Sequence, residues 1–483
     1  MEMAQVQPSE DKKVIKGLPM FGSIDPEALA KEKAHFAELE TKPLLTRWKG
    51  YWAKTGPGWM QSAMTLGGGS AFASLYAGAV MQYKLLWVQP LAMLLGIIML
   101  SALAHQTMST GARPFHAMKQ YVNPALAWAW AIGTLVATVI WHLPQYALAS
   151  GMAEDIIKAF TGWEPTEKQS TWLLLGIGFV ILFIATNVCW NYSKGRAGIK
   201  RFENIIKMMI WGFIVCFTIV VVMGTIKGKV EWGKVLKGFL PLYIPSESRE
   251  VSIFIAALSA AVGINMTFLF GYSYLARGWG KEHRGLARFD LLTGMWLPYT
   301  LATSLMVIAT GCTIYNPETA GTLTRLSPVQ AASLLEAAGI PMLISRLIFG
   351  LGIIGMAMNC ITLHMLVSGF AVCEVFGIEP GGTKYKLACL IPAPGLLGVI
   401  LWQKIGAWIA IPTSAICLLL LPIAYIGFFL LNNSKDYLGE DKPKGTTALV
   451  WNLAMLVSIG IILISAVYYT VTSLVPFIQD KLF

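Results

Sequence analysis

The chain has 483 residues, 55% of them hydrophobic and only 13% charged, with a mean hydropathy of +0.60. These values exclude an ordinary soluble domain and indicate a polytopic membrane protein. The net charge of +11 accordingly reads as a topology signal along membrane loops, not as affinity for nucleic acid. The first 45 or so residues form a charged segment, expected on the cytoplasmic side, with no apolar core of a cleavable signal peptide. Within it, residues 27–38 are expected to make a short surface helix.

Hydropathy predicts about eleven spans, over residues 56–82, 85–105, 124–152, 171–190, 205–226, 250–276, 287–313, 340–374, 385–402, 405–432 and 446–475. The first carries Gly67-Gly68-Gly69-Ser70 at its middle. Three consecutive glycines cost a continuous helix roughly 1 kcal/mol each against alanine, and each flanking half is too short to cross a bilayer alone. The span is therefore expected to break at mid-membrane. Lipid tolerates open backbone only where it is buried in protein or lines a cavity, and secondary transporters build substrate sites from such breaks. Close helix packing on small residues is the alternative for these glycines.

The third span contains Trp141-His142-Leu143-Pro144-Gln145. His142, with His364 of span eight, is one of two clear intramembrane ionisable residues, and it is the candidate for a coupled proton. A neutral histidine satisfied by its neighbours is the structural alternative. The sixth span reads Gly263-Ile264-Asn265-Met266-Thr267 at its middle, where a glycine and two capping residues indicate a second break. Residues 46–235 and 236–435 then form two five-helix repeats, inverted because each holds an odd number of spans, and 436–483 adds span eleven. Clusters such as Lys194, Arg196, Lys200 and Arg201, or Arg277, Lys281, Arg284 and Arg288, place the N-terminus in the cytoplasm and the C-terminus outside. The seven cysteines fall in or beside spans with no metal-ligand spacing and read as packed thiols.

Several segments resemble one family. Gly56-Pro57-Gly58 followed by a mid-helix tetrapeptide is similar to span one of the Nramp metal-ion transporters, where the pattern is GPG…DPGN. Arg284-Gly285-Leu286-Ala287-Arg288-Phe289-Asp290 resembles the RLARID-like start of that family's span seven, and Leu421-Pro422-Ile423-Ala424-Tyr425-Ile426 its LPFALIP. The resemblance implies an all-α polytopic membrane protein of the LeuT-type fold, with two inverted five-helix repeats and broken helices 1 and 6. The functional motif departs from the family. Gly67 stands in place of the metal-binding aspartate and Ser70 in place of the asparagine, while Met266 matches a metal-ligating methionine but is followed by Thr267, Phe268 and Leu269.

Acidic residues are missing from the expected midplane: Glu154, Asp155, Glu203, Asp290 and Glu374 all lie at span ends. A divalent cation in low dielectric needs negative charge or many oxygens. Two half-helix N-termini converging on one spot suit an anion instead. The expected substrate-binding residues are Gly67, Gly68, Gly69, Ser70 and Ala71 on one side, with Asn265, Met266, Thr267 and Phe268 on the other; Ser70 and Thr267 would donate hydroxyls to the ligand. The expectation is a secondary transporter of a small inorganic anion, bicarbonate foremost, working by alternating access and coupled to a proton or Na⁺. A divalent cation (Mg²⁺ or Mn²⁺) held by neutral oxygens and Met266 is the first alternative, and a non-transporting membrane sensor the second. No enzymatic constellation occurs at usable spacing, and the glycine-rich turn follows no strand, so neither catalysis nor a nucleotide loop is expected. No cofactor is called for. The expected partners are the small ion and the lipid bilayer, and the expected location is the plasma (inner) membrane of a prokaryote.

Overall fold

The structure, a computed structural model, describes residues 15–18, 26–318, 320–323, 326–405 and 410–476, with backbone alone for 402–405, 410–415 and 473. Two helices precede the spans, α1 (Pro26–Glu40) and α2 (Leu44–Trp52). The expected short helix is α1, and it is docked: Phe36 is buried, with its ring against Tyr51 and His283.

The first span is two helices, α3 (Pro57–Thr65) and α4 (Gly68–Met81), parted at Leu66-Gly67. Spans two to five are α5 (Val88–Thr110), α7 (Pro124–Thr161), α8 (Glu167–Asn191) and α9 (Gly195–Ile226), with short α6 (Pro114–Tyr121) and α10 (Trp232–Gly238) in the connections. The sixth span is again divided, into α11 (Ser248–Ser259) and α12 (Ile264–Arg277). Span seven starts as α13 (Arg284–Asp290), passes through a π-helical turn over Leu291–Trp296 and continues as α14 (Leu297–Thr313). After α15 (Pro328–Ala337), span eight is α16 (Phe349–Phe376), extended at its start by Leu343–Ile348. Span nine bends between α17 (Thr383–Ala388) and α18 (Gly398–Ile405); α19 (Ala410–Asn433), α20 (Lys435–Leu438) and α21 (Gly445–Tyr469) complete the order. Among the described residues, ten segments are long and apolar enough to cross a membrane. The interrupted first span, with halves of 9 and 14 residues, is the eleventh. The expected repeat boundary at 235/236 lies within α10.

Local chemistry accounts for the helix limits. Asn123 accepts hydrogen bonds from the amides of Ala125 and Leu126 to start α7, and Thr166 caps α8 by accepting from Gln169. Glycines in the left-handed region close α5 (Gly111), α7 (Gly162) and α16 (Gly377). The broken spans, α7 and α16 form the centre of the bundle. By contrast, α8, α9 and α21 turn residues such as Phe179, Phe183, Met208 and Ile464 outward, as helices facing lipid do.

Candidate functional site

Both breaks face one small cavity of about 30 Å³, room for one small ion or about two waters. The first break contributes Met64, Thr65, Gly67, Gly69 and Ser70 to its wall, and the second Ser259, Ala260, Gly263, Asn265 and Met266. The remaining wall comes from Trp141 and Gln145 of α7, Cys360 and His364 of α16, and Cys417 of α19. Among the described residues, no acidic side chain lines it.

The glycines are there for close approach. A Cβ on Gly67 would lie 2.8 Å from Cys360 Sγ, and one on Gly69 would lie 2.3 Å from Trp141 Cη2. The backbone opened by the first break is then satisfied from nearby. Gly68 N donates to Gln145 Oε1 (2.9 Å) and Gly67 N to Ser70 Oγ (3.1 Å), while Ser70 Oγ reaches the Thr65 and Gly67 carbonyls at 2.9 and 3.0 Å. At the second break, Met266 N donates to Asn265 Oδ1 at 3.0 Å, and Thr267 Oγ1 donates to Ile264 O while accepting from Trp130 Nε1.

The expected site residues therefore divide. Gly67, Gly69, Ser70, Asn265 and Met266 line the cavity; Gly68 backs onto Gln145, and Ala71 and Thr267 are buried outside the lining. Phe268 is also outside it, stacked on Tyr272 with ring centroids 5.1 Å apart. The hydroxyls expected to serve a ligand are occupied by backbone carbonyls, and the amides expected to be free are in part filled by Gln145, Ser70 and Asn265. His142 stands behind the wall with its ring 5.7 Å from that of His364, and neither of its ring nitrogens has a hydrogen-bond partner among the described residues.

The cysteine sulfurs are what the sequence reading missed; Met266 was among its expected site residues. Met266 Sδ accepts from Gly263 N at 3.3 Å and stands 3.1 Å from Thr65 Oγ1, so it bridges the two breaks. Cys360 Sγ donates to the Met64 carbonyl at 3.2 Å and lies 3.6 Å from His364 Nε2. The cysteines were expected to be packing alone; Cys360 and Cys417 line the cavity instead. The available signal was the spacing of Cys360 and His364, four residues apart and hence on one helix face. Gln145 was likewise visible only as an intramembrane amide beside Pro144. Its Nε2 has no partner among the described residues, and no three His, Cys, Asp or Glu converge there as a metal cluster.

Polar contacts also join the start of the first span to spans five to seven. Asp290, at the end of α13, accepts from Gly56 N at 3.0 Å and Gly58 N at 2.6 Å, capping α3 from another span. A Cβ on Gly58 would lie 2.3 Å from the Asp290 carbonyl oxygen, so two of the three motifs that carry the family resemblance are in direct contact. Beside them, Arg277 of α12 pairs with Glu203 of α9 (3.0 and 2.5 Å), and Lys207 Nζ donates to the Thr55 carbonyl.

Two broken spans facing one cavity, in two inverted five-helix repeats, define a secondary transporter of the LeuT-type fold. Solved structures share that fold: the manganese transporter of Eremococcus coleocola in complex with an aromatic bis-isothiourea substituted compound (TM-score 0.66, 16% identity, 87% of each chain), and MhsT in complex with L-phenylalanine (TM-score 0.54, 13% identity, 85% of this chain and 98% of that one). The chain belongs to the Nramp family, matching the natural resistance-associated macrophage protein-like model over residues 58–471. Among its relatives are metal transporter Nramp6 of Arabidopsis thaliana, 22% identical over 444 residues (89% of this chain, 78% of the relative), and metal transporter Nramp5 of Oryza sativa subsp. japonica, 25% identical over 434 residues (86% and 75%).

Proposed function

We propose that the chain is a secondary transporter of a metal cation, bound in the cavity between the two breaks and moved by alternating access. The observation that carries this reading is the pair of sulfurs, Met266 Sδ at both breaks and Cys360 Sγ against Gly67. The relatives' names as metal transporters support it. The missing aspartate is then made good by chemistry: a thiol that meets a metal ion loses its proton, so Cys360 supplies the negative charge that no lining carboxylate supplies. Thioether and thiolate donors favour soft ions such as Cd²⁺, and tolerate Mn²⁺ better than Mg²⁺, which demands oxygen. Asn265, Thr65 and carbonyls at the breaks add neutral oxygen. The N-terminus is placed in the cytoplasm on the distribution of Lys and Arg.

A second reading, a small oxyanion such as bicarbonate, is favoured by the lack of an acidic side chain among the described residues of the wall. It is weakened by Gln145, Ser70 and Asn265, which already occupy amides that an anion would use. One experiment separates the readings: uptake of Mn²⁺, Cd²⁺, Mg²⁺ and labelled bicarbonate into proteoliposomes, the last at alkaline pH against protein-free liposomes. Saturable Mn²⁺ and Cd²⁺ uptake that falls at least roughly tenfold in Cys360→Ser is expected. Bicarbonate uptake with no metal uptake would reverse the assignment, and no flux of any ion would leave the sensor.

A further inference from the structure

Two grooves open beside α5, span seven and α21. One, of about 550 Å³, is bounded by His105, Arg284, Thr446 and Trp451. The other, of about 650 Å³, is bounded by Trp87, Leu94, Phe239 and Trp296. Ile97, Ser101, Arg288 and Leu291 line both, so the grooves run together at Arg288.

Arg288 differs from the basic residues around it. Lys281 and Arg284 are paired with Asp441, and Arg277 with Glu203. Arg288 is exposed and has no ion pair or side-chain hydrogen bond among the described residues. It lies near the start of a candidate membrane-spanning segment, Lys281–Thr313, at the level expected for lipid headgroups. Its planar fork matches a phosphate, and the walls on either side are mainly apolar.

We infer that the joined groove seats an anionic phospholipid, its phosphate on the Arg288 guanidinium and its acyl chains along the two arms. Acyl chains are equally at ease in the surrounding bilayer, so the groove supplies place and the guanidinium supplies selection. One basic residue near the membrane surface favours an anionic over a neutral lipid by about fivefold. This site is separate from the transport cavity and does not depend on which ion is carried.

The test is native mass spectrometry of the full chain in detergent with equal amounts of dioleoyl phosphatidylglycerol and dioleoyl phosphatidylcholine. Wild type should retain the anionic lipid about fivefold over the neutral one. Arg288→Gln should equalise them, Arg288→Lys should keep a preference, and Ile97→Trp, which narrows the groove without touching the charge, should lower retention of both. Arg288→Lys and Ile97→Trp keep the test readable if Arg288→Gln does not fold. Equal retention by wild type, or a preference that survives Arg288→Gln, overturns the inference. So does displacement of the lipid by millimolar inorganic phosphate, which would assign the site to the free anion.

Discussion

Replacing Asp290 by asparagine tests the clasp on the first half-helix. The carboxylate accepts from Gly56 N and Gly58 N at 3.0 and 2.6 Å, and Asp290 is fully buried. Hydrogen bonds to a charged group contribute about 1.5–3 kcal/mol each. Asparagine retains one acceptor and turns an NH₂ toward the other amide, leaving a buried donor unpaired at about 1–3 kcal/mol. Relief from desolvating a charge offsets part of this, so the net loss is about 2–4 kcal/mol. For a chain of 483 residues that corresponds to a melting shift of about 2–4 °C. The assay is tryptophan-fluorescence melting of the purified protein in detergent, with Asp290→Ala in parallel. Alanine leaves both amides unpaired and should melt lower still. An asparagine variant that melts with wild type, or an alanine variant more stable than the asparagine one, would refute the assignment of Asp290 as the cap of α3.

Gly69→Ala should destabilise by about 1–3 kcal/mol and abolish uptake, because its Cβ would meet Trp141, whose indole is tethered to Cys417 Sγ; wild-type uptake would show that the indole yields. His142→Ala should flatten the pH dependence of uptake in proteoliposomes, and an unchanged profile removes that residue from coupling. Burial alone would raise the Asp441 carboxyl, but hydrogen bonds from Lys281 and Arg284 outweigh it and hold it below the usual carboxylate range. Its folded pKa is depressed, so its contribution to stability is present above the unfolded value near 4 and lost as pH falls through the folded value. Melting profiles should show Asp441→Asn less stable than wild type at pH 7 and the difference closing below about pH 4; a constant difference would mean that the pair acts through packing.

The helix breaks were legible because their chemistry is local: Gly67–Gly69 and Gly263 disfavour a continuous helix, and Asn265 Oδ1 accepts from the neighbouring Met266 amide. The filling of those breaks was not. Counting free amides at a helix start considers only partners within the helix, whereas Gly68 is served by Gln145 from another span. That omission is what made the site read as a nest for an anion. Asp290 was read as a residue at a span end, which it is, but its work on Gly56 and Gly58 appears only once span seven lies against α3. Cys360 was passed over because thiols in membrane helices are ordinarily packing, and nothing in its own sequence neighbourhood shows the glycine it touches.

The polar groups of the first span also have a timing. Gly68 waits for a glutamine 77 residues further along the chain, and Gly58 for an aspartate 232 residues further along. At ordinary rates of synthesis the second interval is roughly 10–50 s. Throughout it the half-helix starting at Pro57 has no native acceptor for the Gly56 and Gly58 amides. The first predicted span is thus among the last to gain all its native partners. Shortening the chain before span seven should leave span one exposed to proteolysis in the membrane, whatever ion the finished transporter carries.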